Sequence, residues 1–432
     1  MSSRPRRLPF GIGTIVMVLI AAMVAVAAFT LAQGADVPHR MTSHEFGRLR
    51  TLDDQPKTVW TRSSDDLPGF TGNGPVTVAD TYGDMWLLAY PSGIGRAFLA
   101  VNQFDGSSRW DHPVVAGLGG CAFDGRGKTG CAIKLGSAPD GFYPVDSGSG
   151  ELGPMQPLQD TGSVIGVGRD FIRVNQVGYR VSATSPDGAT KWSRTFADSA
   201  TPSYLAGPDL IDVSLADASH VLLDPATGEP RLTCSSCTVT AYPTGLVVAR
   251  RDDDTIDFYR IDRHGRLVLK PTHVARSMQV SRGPAALPVL GGIGSATVGE
   301  THGRFEVRDP AKADALWQVN SDELSKAAPM ACGTLVAFGR KDLTREVMRL
   351  DASGTTVGRL PAPDLQHPDT SLAELKCIGS FGDTLVAAND NQLTAFDAKA
   401  GKIRWALPIN GTATNVNGYI VLRQGSSLSL LG

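Results

Sequence analysis

Beyond residue 58, apolar positions come in short runs separated by Gly, Pro, Asp and Asn, and no stretch keeps a helical period. Trp86-Leu87-Leu88-Ala89-Tyr90, Gly245-Leu246-Val247-Val248-Ala249, Thr334-Leu335-Val336-Ala337-Phe338 and Thr384-Leu385-Val386-Ala387-Ala388 are typical. Runs of this length between turn residues predict antiparallel hairpins. One segment breaks the pattern. Leu8 to Ala35 carries no charge, and its middle, Ile12 to Leu31, is built mainly of Ile, Val, Met, Leu, Ala and Phe. About 20 such residues at 1.5 Å each span the roughly 30 Å hydrocarbon layer of a bilayer.

That segment predicts one transmembrane helix over 12–33, with residues 1–11 as a basic cytoplasmic segment. Arg4, Arg6 and Arg7 precede it and Asp36 is the first charge after it, which puts the N-terminus inside and the rest of the chain outside the cytoplasm. A cleaved signal peptide is the competing reading, but its apolar region usually runs about 7–15 residues. Residues 34–57 are polar and mixed and read as a tether, with Thr42-x-x-Glu45 resembling a capping box. Residues 58–432 form the folded domain.

The hairpins repeat. A strand ends near an Asp, a turn follows, and the next strand often carries Trp, as in Leu393-Thr394-Ala395-Phe396-Asp397-Ala398-Lys399-Ala400-Gly401-Lys402-Ile403-Arg404-Trp405. The aspartates are Asp105, Asp146, Asp187, Asp224, Asp262, Asp309, Asp351 and Asp397, separated by 41, 41, 37, 38, 47, 42 and 46 residues. A period of about 42 is that of a four-stranded propeller blade. An Asp at a strand end bonds the backbone two residues on and opens a turn. A glycine follows within four residues in seven of the copies, and is missing after Asp309. Trp110, Trp192, Trp317 and Trp405 then begin outer strands, where a large ring packs between blades.

The Ala-x-Asp-x-x-x-Gly-x-x-x-Trp pattern resembles the repeat of pyrroloquinoline-quinone-type β-propellers, a superfamily spanning quinone-dependent dehydrogenases and a lipoprotein of the outer-membrane barrel assembly machinery. The resemblance covers about Thr58 to Gly432 and implies an all-β propeller, eight-bladed in the usual member. Thr58-Val59-Trp60 looks like an outer strand with no hairpin before it, and 418–431 like a hairpin with no outer strand after it. Together they complete one blade. Strict counting then gives nine hairpins, so eight blades are expected with seven to nine open.

Charge and cysteines narrow the function. A formal net charge of −2 argues against a nucleic-acid binder. The six cysteines, Cys121, Cys131, Cys234, Cys237, Cys332 and Cys377, all follow the anchor segment and predict disulfides 121–131, 234–237 and 332–377 in an oxidising compartment. Cys234-Ser235-Ser236-Cys237 also has redox or zinc spacing, but no helix start or second ligand pair accompanies it. Dehydrogenases of the superfamily carry adjacent cysteines over the quinone, and no such pair occurs here. The eight histidines are scattered. Asp252-Asp253-Asp254-x-x-Asp257 reads as a solvated turn and Gly291-Gly292-Ile293-Gly294 as a loop. No catalytic, cofactor or metal residue is assigned. The expected function is a non-enzymatic, membrane-anchored propeller of the cell envelope that binds another envelope protein. The alternatives are a receptor for a small ligand or polysaccharide in the funnel, and a quinone-dependent dehydrogenase.

Overall fold

The computed structural model describes residues 46–432, apart from 53, 252–254, 263–265, 275–277, 282, 294–300, 313, 326–327, 363–371 and 373–374. The expected membrane span, the Thr42-x-x-Glu45 cap and the Asp252-Asp253-Asp254 run lie outside the described residues. Among those residues, no helix is long and apolar enough to cross a membrane.

The described residues fold into a ring of antiparallel sheets, eight of four strands and one of three. In chain order the blades span 77–117, 120–145, 161–195, 200–234, 237–274, 278–320, 330–360 and 376–408, here blades 1 to 8. Blade 9 combines Thr412–Val416, Tyr419–Gln424 and Ser427–Leu431 with Thr58–Arg62 from the other end of the chain. The first strands of successive blades contact one another and so lie innermost. Connections between first and second strands, and between third and fourth, fall on one face, the Asp-turn face. The remaining connections fall on the opposite face, the link face.

The expected eight blades are therefore nine. Each of the eight aspartate hairpins belongs to a different blade. Blade 9 is extra and has no such turn, because its third and fourth strands come from opposite chain ends: Thr58 faces Leu431 and Trp60 faces Leu430. Lys57 and Gly432 exchange backbone hydrogen bonds of 2.9 and 3.0 Å beside this seam. Blade 2 is the short one. Its outer strand is reduced to the single bridges Val145–Leu152 and Phe142–Gln156. Gly291-Gly292-Ile293, expected in a loop, lies in the strand Val289–Ile293. Its neighbouring strands supply the ladder bonds that hold glycine extended.

The core is a circle of clusters between blades, made by the alternate apolar residues of each strand. Phe305 of blade 6 and Phe338 of blade 7 sit 4.7 Å apart between ring centres, and Phe142 and Phe171 join blades 2 and 3 at 5.3 Å. Three disulfides add covalent ties. Cys121–Cys131 links directly opposed residues of two adjacent strands in blade 2, Cys234–Cys237 closes the connection from blade 4 to blade 5, and Cys332–Cys377 joins the innermost strands of blades 7 and 8.

Four tryptophans fasten their blades to the aspartate turn of the next blade. Trp60 Nε1 donates to Gln103 O, Trp110 Nε1 to Ser147 O, Trp192 Nε1 to Pro225 O and Trp317 Nε1 to Asp351 O, at 2.8–3.2 Å. Trp192, Trp317 and Trp405 stand in outer strands as expected, whereas Trp110 precedes its outer strand, Val114–Gly117. The glycine of each receiving turn lies under the ring: a Cβ at Gly106, Gly150, Gly228 or Gly354 would sit 2.4–2.9 Å from an indole atom. An arginine two positions after the Trp repeats the bond, Arg62 Nε to Gly106 O at 2.7 Å and Arg194 Nε to Gly228 O at 2.6 Å.

Residues 46–57 do not form the solvated tether expected from their polarity. Gly47 O accepts from Ser380 N and Leu49 N donates to Ser380 O, both at 2.8 Å, so this segment lies against the innermost strand of blade 8. Arg50 N donates to Gly418 O at 2.9 Å, and its guanidinium lies 4.0 Å from the centre of the Tyr419 ring. Gly47, at φ 91°, passes where a Cβ would lie 2.6 Å from Pro284 O. Leu49 is 2% exposed and packs with Ile378 and Phe381. A free inner-strand edge and one apolar side chain outweigh the polar composition around them.

Candidate interaction surface

The sequence-predicted aspartates shape turns on one face. The Asp105 carboxylate accepts from Ser107 N at 2.9 Å, Asp146 from Gly148 N at 3.1 Å, Asp224 from Ala226 N at 3.0 Å, Asp309 from Ala311 N at 2.9 Å and Asp351 from Ser353 N at 2.8 Å. Asp262 accepts from Arg266 N and Asp397 from Ala400 N, at 2.9 and 2.8 Å, while Asp187 accepts the Ser185 hydroxyl. These bonds hold the carboxyls of Asp105, Asp146, Asp187 and Asp351 below their ordinary value, with the Ser107 hydroxyl, Ser149 backbone, Ser185 hydroxyl and Ser353 hydroxyl as the leading causes. The aspartates thus serve turn geometry, spread around the ring, and do not converge.

On the same face, the 46–50 segment walls a cavity of about 320 Å³ lined by Arg48, Thr334, Arg349, Leu350, Asp351, Ser380, Phe381 and Gly382. Arg349 is ion-paired with Asp383 at its edge. The carboxylate of Asp351 is already occupied by its own turn.

The link face is different in blades 1 to 3. Of twelve large hydrophobic side chains left exposed among the described residues, five stand there: Ile94, Leu118, Leu135, Val177 and Tyr179, each 43–68% exposed. Single exposed apolar residues need no explanation, but a contiguous group does. Ile94 precedes Gly95, whose close approach to blade 1's outer strand leaves no space for a side chain; a Cβ there would lie 2.0 Å from Gly117 O. Leu118 follows that same glycine, and its N–H donates to Lys134 O at 2.8 Å, next to Leu135. Lys134 Nζ donates to Gln176 O at 3.3 Å, next to Val177. The connections that carry the five side chains are therefore hydrogen-bonded or adjacent to one another, in one path across three blades.

The path rests on a buried buttress. Arg173 is 1% exposed and donates to Pro157 O at 2.6 Å, Leu158 O at 2.8 Å and Thr161 Oγ1, with its guanidinium 4.2 Å from the centre of the Phe142 ring. Burial pulls its pKa down to about 10, so it stays charged at neutral pH and fixes the 157–161 link beside Gln176. Gln176 N in turn donates to Asp160 O at 2.6 Å. Leu135 has a left-handed backbone, φ 55°, held by its N–H donating to Asp140 Oδ1 at 2.8 Å. Asp140 Oδ2 accepts from Gln176 Nε2 at 3.2 Å.

Sequence reasoning missed this surface, because no period or motif marks loop tips. It also missed Gln156, which takes the tryptophan's part between blades 2 and 3: its Nε2 donates to Pro186 O at 2.7 Å, and its side chain covers Gly188. Two of the scattered histidines pair with carboxylates. His220 Nδ1 lies 2.9 Å from Asp212 Oδ1, and His273 Nδ1 lies 2.5 Å from Asp257 Oδ1, which shares its carboxylate with Arg250. Burial pushes the Asp212 carboxyl up, with His220 opposing it. Both pairs join strands within one blade. Among the described residues, no group of three or more His, Cys, Asp or Glu is placed to hold a metal ion.

No family model matches the chain, and no curated protein matches it. Solved structures that resemble it include BamB from Moraxella catarrhalis, at 15% identity and TM-score 0.42 over 87% of this chain and 97% of that one. A computationally designed protein, Ika8, resembles it at 13% identity and TM-score 0.43 over 84% and 97%. A eukaryotic initiation factor does so at 12% identity and TM-score 0.47 over 86% and 99%.

Proposed function

We propose that this protein is a non-enzymatic interaction scaffold of the cell envelope, anchored by residues 12–33 and presenting its propeller outside the cytoplasm. The observation that carries the reading is the path of five exposed apolar side chains on the link face of blades 1 to 3. Those side chains stand on a ring tied by Arg173, the tryptophan contacts and three disulfides. A rigid support with apolar tips loses little freedom when a partner docks, which favours binding. Pairing of all six cysteines fits an oxidising compartment, and the charge-free stretch flanked by arginines supplies the anchor. Crosslinking in intact cells, comparing wild type with Leu135→Asp, tests the docking role: a partner lost only in the variant supports it, and an identical partner set refutes it. N-terminal sequencing of the mature protein tests the anchor, since a start near Asp36 would remove it.

The cavity bounded by Arg48 and Arg349 favours a second reading, a receptor for a small ligand. A small molecule retained by the purified protein, and released by Arg349→Ala, would support that reading over the scaffold.

A further inference from the structure

We propose that the apolar path of blades 1 to 3 receives a protein segment whose apolar side chains are flanked by carboxylates. This inference rests on the scaffold reading and deepens it. The charges around the path decide the partner's chemistry. Arg96, in the third strand of blade 1 beside Gly117, is exposed, and no side-chain partner for it is found among the described residues. Lys134 gives its ammonium to a backbone carbonyl, not to a carboxylate. Of the acids beside the path, Asp140 and Asp160 are already engaged, and Asp198, on the connection next to Tyr179, accepts the Ser199 N–H. Asp140 is bonded through both oxygens to Leu135 N and Gln176 Nε2, and Asp160 holds Arg180 through both of its oxygens at 2.6 Å. Two cations therefore remain without a carboxylate beside five apolar tips.

That balance separates the three occupants an apolar surface could take. A second copy meeting this face across a two-fold axis would bring the same patch against itself, so each copy would offer Arg96 and Lys134 a surface that carries the same two unpaired cations. An anionic bilayer is read by clusters of about four to eight basic residues, and two stand here. A different protein, with acids beside its apolar residues, satisfies both the tips and the cations. The left-handed backbone of Leu135 holds one tip outward before any partner arrives, so the surface is preorganised for that segment.

The test uses the detergent-solubilised full chain and two synthetic peptides sharing one apolar core of Leu and Val, flanked either by Glu or by Lys. At low salt the Glu-flanked peptide should bind about threefold to tenfold more tightly, the range expected for two exposed ion pairs. Arg96→Glu with Lys134→Glu should reverse the preference, and Leu135→Asp should abolish binding of both peptides. Arg96 and Leu135 are exposed and Lys134 is half-buried with one hydrogen bond, to Gln176 O, so melting temperatures of all the variants are compared with wild type to certify the fold. Equal binding of the two peptides that is still lost in Leu135→Asp overturns the acidic chemistry and leaves the docking surface standing. No measurable binding of the Glu-flanked peptide at millimolar concentration, or binding unaffected by Leu135→Asp, overturns the proposal. So does a concentration-dependent dimer, or sedimentation with phosphatidylcholine–phosphatidylglycerol vesicles, that Leu135→Asp abolishes.

Discussion

Trp60 gives its indole hydrogen to the carbonyl of Gln103, 2.9 Å away, so the first described strand of the chain fastens the blade that follows it. Trp405 stands in the matching place on blade 8, and its buried Nε1 finds no partner among the described residues. The difference follows from ring closure. Trp405 faces blade 9, the blade whose third and fourth strands are not joined by a turn, so there is no turn carbonyl to receive its hydrogen.

This contrast yields a paired test. Trp60→Phe keeps an aromatic ring but leaves Gln103 O without its donor, and should cost about 1–3 kcal/mol. Trp405→Phe removes a buried donor that is already unpaired, which offsets the lost ring volume, and should stay within about 1 kcal/mol of wild type. Trp60→Ala should cost about 3–5 kcal/mol, as deletion of a buried large aromatic does. Urea midpoints of the three variants check the order, and equal losses for the two Phe variants would refute the explanation.

The blades were legible because their signals are local. An Asp that bonds its own turn, a glycine under an indole and a Trp on the outer strand all sit within a dozen residues, and each repeats. Ring closure was legible for the complementary reason: each chain end carried an incomplete blade. What sequence did not disclose depends on distant backbone. Leu49 is one apolar residue among polar neighbours, and only the free edge at Ser380 makes it a core residue. Gln156 replaces a tryptophan with no change in the period. Ile94, Leu118, Leu135, Val177 and Tyr179 come from four separate connections and become neighbours only when blades 1 to 3 stand side by side.

The segment 46–50 should behave as part of the domain. Leu49→Ala should destabilise the protein by about 2–5 kcal/mol, the range for buried Leu truncation, and Leu49→Asp by more, because it places a charge between Ile378 and Phe381. Hydrogen exchange at Leu49 and Arg50 in the intact protein should be slow, since both amides are bonded to the ring. Rapid exchange there would mean a free tether.

Blade 9 should act as the closure of the whole ring. Deleting residues from Tyr419 onward removes two of its four strands and the partners of Thr58–Arg62, exposing strand edges and the apolar surface of blades 8 and 1. Tryptophan fluorescence and the melting temperature should both fall towards those of an opened chain. A deletion variant that melts like wild type would mean that eight blades close without the ninth.

Acid should loosen the blade junctions through the aspartate turns. The carboxyls of Asp105, Asp146, Asp187 and Asp351 titrate below their ordinary value in the folded protein. In the unfolded chain they titrate at about 3.9. A group whose folded pKa is depressed adds stability that is complete above the unfolded value and lost as pH falls through the folded one. The stabilisation is therefore present at neutral pH and disappears below about pH 4. Asp80 and Asp212 act in the opposite sense: burial raises their carboxyls, so they oppose folding at neutral pH and cease to do so on acidification. Four turn carboxylates set against these two should leave a net loss of stability in acid. Asp351 is the sharpest probe, because its own carbonyl receives the Trp317 indole at 2.9 Å, so its turn and the junction between blades 6 and 7 are one structure. Asp351→Asn keeps a turn-forming side chain but cannot ionise. Its urea midpoint should lie below wild type at pH 7, and the gap should close as pH falls from 4 towards 2.5. A gap of constant size across that range would mean that the ionised carboxylate contributes nothing to the turn.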